Sequence, residues 1–428
     1  MQVLHYKDSA FICYFCVMVK RIEFVDWIRV VACLMVMLVH ASENFYAADS
    51  SGLAGNVSML ANESNRFWVS FYDGFVSRAA VPLFMIVSAF LLVPLKPGQS
   101  MTSFYKRRFG RILPPFVFFL LLYTFLPLLW GGMTWEQSVS DLKLLPFNFP
   151  SMAGHLWFMY PLISLYIIIP VVSPWLEKVS AKDERIFLGF FIFTTFIPWF
   201  RLITPELWGE CFWNDFSAFW YCSGYLGYLV LAHYIRVYLG RDRRKRLTVG
   251  TLCFIVGGAF TAWSFWLKGT PGVVIPTPEI EWSWPFCTPN VLLQTFGLFL
   301  MFSCIGMGKT SVAAEPSAAD SGAACAALGA AAGGTGVVAA LPTAADPGPA
   351  AGKERFVSRL ARLTFGMYLV HMFFLAPIAT WIIGGDAANP SIPVALAIPV
   401  IAILSYICSA VVVKLVTLLP GSKYLVGA

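Results

Sequence analysis

Long apolar runs broken by short polar and basic stretches recur through this chain, and their spacing sets the architecture before any single residue is weighed. A run of about 20 apolar residues covers the roughly 30 Å of hydrocarbon in a bilayer. On that measure the pattern predicts ten helices, near residues 25–44, 70–95, 112–130, 155–174, 187–203, 217–235, 247–266, 290–308, 360–384 and 392–418. The expected fold class is an all-α integral membrane protein, a bundle of about ten transmembrane helices with a disordered cytoplasmic linker. That linker is residues 311–352, rich in Ala, Gly, Pro and Ser and too poor in large apolar residues to order itself. It divides the membrane domain into 21–310, with helices one to eight, and 353–428, with helices nine and ten. Residues 1–20 hold an apolar stretch too short to span, either a brief interfacial segment or a leader ahead of a true start at Met18.

Composition narrows the class. With 58% hydrophobic and 12% charged residues, and a mean hydropathy of +0.71, the chain is not a soluble domain with a large core. A net charge of +7 raises nucleic acid as a partner. The distribution of the basic residues argues against it, because they fall in short loops between spans. The loops near 96–111, 174–186, 235–246 and 308–362 hold 19 Lys and Arg, against five on the opposite side: Arg66, Arg78, Lys143, Arg201 and Lys268. The positive-inside rule then puts both termini in the cytoplasm.

The ten cysteines give no metal framework. Cys13 and Cys16 form a CxxC with no second pair at ligand spacing, so no metal is expected. Cys33, Cys222, Cys253, Cys304 and Cys408 fall in spans and read as small packing residues. Cys211 and Cys287 lie in loops assigned to the outside, where pairing in an oxidising compartment and free thiols are both open.

Ionisable residues inside a span are costly and mark tasks. Arg29 and His40 share the first apolar segment, VDWIRVVACLMVMLVHAS. Eleven steps return them to nearly the same face, about 16 Å apart along the axis. A cation at the helix mouth with an imidazole three turns deeper suits a long ligand with an anionic head, such as acetyl-coenzyme A.

Five motifs follow in order. Asp26, Arg29 and His40 form D-x-x-R then His in the first helix. VPLFMIVSAFLLVP carries Ser88 and Phe90, with Ala89 where the related pattern has Gly. FYKRRFGRILPPF places Arg108 and Arg111 three apart, ahead of Pro114. HLWFMYPLISLYIIIP carries His155, Trp157, Tyr160 and Tyr166, and LTFGMYLVH carries Tyr368 and His371. Together they resemble acyltransferase family 3, the bacterial membrane O-acyltransferases, over most of the chain. Within it the chain is similar to stand-alone sugar O-acetyltransferases of surface glycans, of the enterobacterial common antigen type. The resemblance implies an enzyme of the bacterial inner membrane that moves an acetyl group from cytoplasmic acetyl-CoA to a hydroxyl of a glycan or lipid-linked sugar.

Roles follow as expectations. His40 is the general base, or else the carrier of a covalent acetyl group. Ser88 either donates to the thioester oxygen or packs helices. Arg29, Arg108 and Arg111 bind the donor, since planar guanidinium forks suit phosphates. Asp26 supports Arg29. Tyr368 and His371 form a supporting hydrogen-bonded pair. His155, Trp157 and Tyr160 meet the acceptor or form part of an interfacial belt. His233 reads as interfacial, and Asp73 and Arg78 as a local bridge without a role. A transporter or polysaccharide exporter is the competing class, although no internal repeat of the carrier kind is found.

Overall fold

The computed structural model describes residues 22–46, 58–145, 148–203, 219–307 and 356–427. The doubtful leader at 1–20, the linker at 311–352 and Cys211 lie outside the described residues. Helices dominate: α1 (Glu23–Glu43), α2 (Glu63–Val69), a π-helical segment (Ser70–Ser77), α3 (Ala80–Leu92), α4 (Met101–Phe125) and α5 (Trp135–Leu144) come first. A 3-10 turn (Gly154–Phe158) leads into α6 (Met159–Lys178), followed by α7 (Ala181–Thr195), α8 (Ile197–Ile203), α9 (Tyr225–Val237), α10 (Arg243–Lys268) and the short α11 (Thr277–Ile280). The chain closes with α12 (Pro289–Ser303), α13 (Phe356–Val370), α14 (Met372–Ile383) and α15 (Val394–Val416). β-Structure among the described residues is a single antiparallel pair, Ser58–Met59 with Val274–Ile275, which stitches two loops together.

This is an all-α, multi-pass membrane protein. Among the described residues six helices are long and apolar enough to cross a bilayer: Glu23–Glu43, Glu63–Leu92, Met101–Trp130, Gly154–Lys178, Arg243–Lys268 and Val394–Val416. The pair α13 and α14 meets the same measure but bends by 71° at His371. Three segments expected to span carry shorter helices, of 15 residues in α7, 13 in α9 and 15 in α12. Those lengths reach about 20–23 Å, less than the hydrocarbon thickness.

Helix ends follow their local chemistry. Ser100 and Ser180 accept from the amides three residues on, and Asp242 accepts from the Arg244 and Lys245 amides at the start of α10. Thr134 and Gln137 form a full capping box at α5. Pro377 in α14 cannot donate to the carbonyl four residues back, which loosens the turn just past the bend.

Glycine permits the closest helix crossings. A Cβ on Gly257 would sit 2.5 Å from the Asn290 carbonyl oxygen of α12, and one on Gly258 would sit 2.9 Å from the Phe75 carbonyl oxygen of the π segment. The π segment therefore lies directly on α10. α1 occupies the middle of the bundle, packed by α3, α12, α13, α15 and the π segment. Its residues Met35 to Glu43 are all buried, so the polar groups of its last turns face protein and not lipid.

Candidate active site

A cavity of about 350 Å³ runs beside α1. It collects residues that lie far apart in the chain: Arg29 and His40 from α1, Ser88 from α3, Arg108 and Arg111 from α4, His155 and Trp157 from the 3-10 turn, and Tyr368 from α13. Eight of the eleven residues singled out in the sequence thus share one space. His371, Asp26 and Tyr160 are not in its lining.

The two ends differ in chemistry. Near the start of α1, Arg29 is joined by Arg108 and Arg111, with Tyr166 among them, and Arg362 also lines the cavity. Arg111 Nε donates to the Gly427 carbonyl at 3.2 Å, which leaves the rest of its fork available. Arg108 Nε is buried and has no hydrogen-bond partner among the described residues. Buried donors are rarely left idle, so this end is suited to an anion. Ser88 interacts with Tyr166 and so sits toward the arginine end. Asp26 remains within electrostatic reach of Arg29, but its carboxylate accepts from Ser358 Oγ at 2.7 Å and ties α1 to α13.

Eleven residues along α1, His40 defines the other end. Its Nδ1 lies 2.8 Å from Glu43 Oε2, one turn ahead on the same helix. An ionised carboxylate only accepts, so Nδ1 carries the proton and Nε2 keeps a lone pair. Both residues line the cavity. Glu43 was not singled out from sequence, although a carboxylate three residues past a histidine in HASE shares its helix face.

Two further histidines converge here. His371 stacks on His40 at 5.3 Å between ring centroids, with 20° between planes. His155 meets His371 edge to face at 5.0 Å and 82°. His371 is fully buried behind the pair. Its Nδ1 donates to the Tyr368 carbonyl at 2.7 Å and its Nε2 has no partner among the described residues. The expected Tyr368 and His371 pair therefore runs through the backbone, because the Tyr368 hydroxyl is taken by the His155 carbonyl at 2.5 Å. Among the described residues no group of three or more His, Cys, Asp or Glu side chains could hold a metal ion.

Tyr160 departs from expectation. It packs on Phe116 at 5.6 Å and Phe149 at 6.4 Å, outside the cavity. Five α-helical steps already set residue 160 about 140° from residue 155, and the 3-10 steps at the start widen that to nearly opposite, so Tyr160 faces away from His155. Trp157 stays with the cavity and stacks on Phe286 at 5.5 Å and 13°.

Arg78 supplies the wall near Glu43. Its Nε donates to the Trp284 carbonyl at 2.9 Å, and its terminal nitrogens meet Asp73 at 3.3 Å and Glu281 at 3.1 Å. The local Asp73 bridge is thus made, and a loop carboxylate completes it. Tyr46 donates to the same Glu281 at 2.6 Å. Neither Arg362 nor Glu281 stood out in the sequence, since a basic residue beside a loop reads as an orientation signal and an acidic loop residue reads as solvated.

A family model described as an acyltransferase domain matches residues 22–416. No curated protein and no solved structure matches the chain.

Proposed function

The chain belongs to the acyltransferase domain family, and from that premise we propose that it transfers an acetyl group from cytoplasmic acetyl-CoA to a hydroxyl of a cell-surface glycan or lipid-linked sugar. The observation that carries this reading is a single cavity with guanidinium groups at one end and a carboxylate-bound histidine at the other.

Arg29, Arg108, Arg111 and Arg362 take the phosphates of the donor, and Ser88 with Tyr166 flanks its arm. The roughly 16 Å between Arg29 and His40 accommodates the pantetheine arm and brings the thioester to the imidazole. His40 Nε2 takes the proton of the acceptor hydroxyl as its oxygen bonds to the carbonyl carbon. The C–S bond then breaks, and the departing thiolate receives that proton from His40. Glu43 fixes the tautomer and stabilises the transient imidazolium, as a carboxylate does behind a catalytic histidine. Trp157 offers an aromatic face to the acceptor ring.

Were the bent pair and the three shorter helices to cross with the six long ones, the crossings would number ten and both ends would lie on one side; the basic loops make that side the cytoplasmic face of a bacterial inner membrane, where the arginine end would meet the donor.

The test is release of free coenzyme A from acetyl-CoA by the purified chain with an extract of envelope glycolipids, beside His40→Ala and Arg111→Ala. Release that is lost in His40→Ala and needs more donor in Arg111→Ala supports the reading. Absence of release with every extract returns the transporter class, and unchanged release in His40→Ala removes His40 from the chemistry.

A further inference from the structure

Among the described residues His155 is the side chain with both of its ring nitrogens buried and without a full hydrogen bond. It is 1% exposed, and neither ring nitrogen has a hydrogen-bond partner among the described residues. An imidazole always carries at least one N–H, and the Leu369 carbonyl within reach of the ring already accepts from the Tyr123 hydroxyl and makes no full hydrogen bond with the ring, so this buried donor in the wall of the cavity lacks a full partner. Leaving such a group unpaired is costly, and a site of this kind calls for a ligand atom that accepts. The ring is nonetheless well held. Tyr123 packs edge to face on it at 5.1 Å, Tyr368 at 6.0 Å and His371 at 5.0 Å. The backbone is held too, since the His155 carbonyl accepts from the Tyr368 hydroxyl.

The position relative to His40 gives the donor its target. Both rings pack on the same His371 and both line the cavity. The other polar side chains there are committed or remote. Glu43 accepts from His40, Arg78 is engaged by Asp73, Glu281 and the Trp284 carbonyl, and Ser88 lies toward the arginine end beside Tyr166. We infer that His155, expected from sequence to meet the acceptor, is instead a catalytic residue that donates its N–H to the carbonyl oxygen of the donor thioester.

This inference rests on the acyl-transfer reading above and adds one part to it. As the acceptor oxygen bonds to the carbonyl carbon, the C=O pair moves onto oxygen and His155 N–H holds that charge. When the pair returns, the C–S bond breaks and the thiolate leaves with the proton from His40. No proton passes through His155, so atoms and electrons balance without it changing state. A neutral imidazole is a competent electrophile of this kind, and removing one such donor costs about 10²–10³-fold in kcat.

The test compares two non-transferable donor analogues on the full chain in nanodiscs. One is a coenzyme A methyl ketone with CH2 in place of the thioester sulfur. The other is its trifluoromethyl ketone, which hydrates to a tetrahedral oxygen centre. Expected is tighter binding of the trifluoromethyl ketone by the native chain, a preference largely lost in His155→Ala while methyl ketone affinity stays within about twofold. His155→Gln, which keeps an N–H donor, recovers part of the preference and part of kcat, and serves if the alanine variant does not fold. A preference that survives His155→Ala, or equal weakening of both analogues, overturns the inference and leaves the acyl-transfer reading standing. A native chain that binds neither analogue overturns the donor reading itself.

Discussion

Among the described residues two histidine–carboxylate pairs are buried, and one of them lines the cavity beside α1. His40 Nδ1 lies 2.8 Å from Glu43, and His233 Nδ1 lies 3.0 Å from Glu184. Both use the same ring nitrogen and both are almost wholly removed from solvent. The first pair sits on one helix, three residues apart, and lines the cavity. The second joins α9 to α7 across 49 positions of sequence, with the Tyr238 ring at 6.3 Å. A hydrogen-bonded imidazole is therefore not sufficient for chemistry here. What separates the pairs is their setting: the first lines a cavity that also holds the arginines, whereas the second ties one helix to another as a strut.

Exchanging the two histidines in turn tests that distinction most directly. His40→Ala is expected to lower kcat by about 10²–10⁴-fold, the range for a lost general base, whereas His233→Ala leaves kcat per folded molecule within about twofold. Coenzyme A release on protein quantified by its folded fraction checks both. The carboxylates come next. Glu43→Gln still fills its site but no longer fixes the His40 tautomer, and a fall in kcat of about tenfold or more is expected. Glu184→Leu strands a buried histidine and costs about 1–3 kcal/mol, read as a lower Tm with kcat unchanged.

The arginine end should respond in a third manner. Arg108→Ala removes charge-assisted hydrogen bonds worth about 1.5–3 kcal/mol, so KM for acetyl-CoA should rise about tenfold or more while kcat holds. The smallest effect belongs to the strut removed whole. Replacing both Glu184 and His233 by Leu abolishes the buried polar pair together with its desolvation cost, so stability should recover to within about 1 kcal/mol of native. Equilibrium unfolding of the single and double variants closes that cycle.

Much of this was legible in the chain because a membrane makes polar residues conspicuous. Arg29, His40, Arg108, Arg111, His155, Trp157 and Tyr368 interrupt apolar runs, and all of them reach the same cavity. Glu43 was legible only as the end of a helix, since nothing in a linear pattern separates a carboxylate turned to its own histidine from one turned to water. Arg362 was absorbed into the charge count that sets orientation, a signal that masks any second use of the same residue, while Arg78 was read as a bridge to Asp73 but not as a wall of the cavity. Tyr160, open from sequence to an acceptor role or an interfacial belt, lies outside the cavity lining against Phe116 and Phe149. The shortness of α7, α9 and α12 was hidden as well. Apolar loop residues beside a helix extend the run without extending the helix.

The 71° bend at His371 carries a consequence of another kind. A broken span leaves main-chain carbonyls without their helical partners in a region with no water to receive them. Here the Leu369 carbonyl is met by the Tyr123 hydroxyl at 3.1 Å, and the Tyr368 carbonyl by the His371 ring at 2.7 Å. The Tyr368 hydroxyl in turn holds the His155 carbonyl. Three side chains, from α4 and from the bent pair, thus answer for backbone carbonyls on the bent pair and the 3-10 turn. Over evolutionary time such residues are not free to drift singly: a lineage that loses Tyr123 should also straighten the break or change His371. Among aligned relatives, positions 123, 368 and 371 should therefore vary together as a block, whatever happens to the acceptor that each lineage modifies.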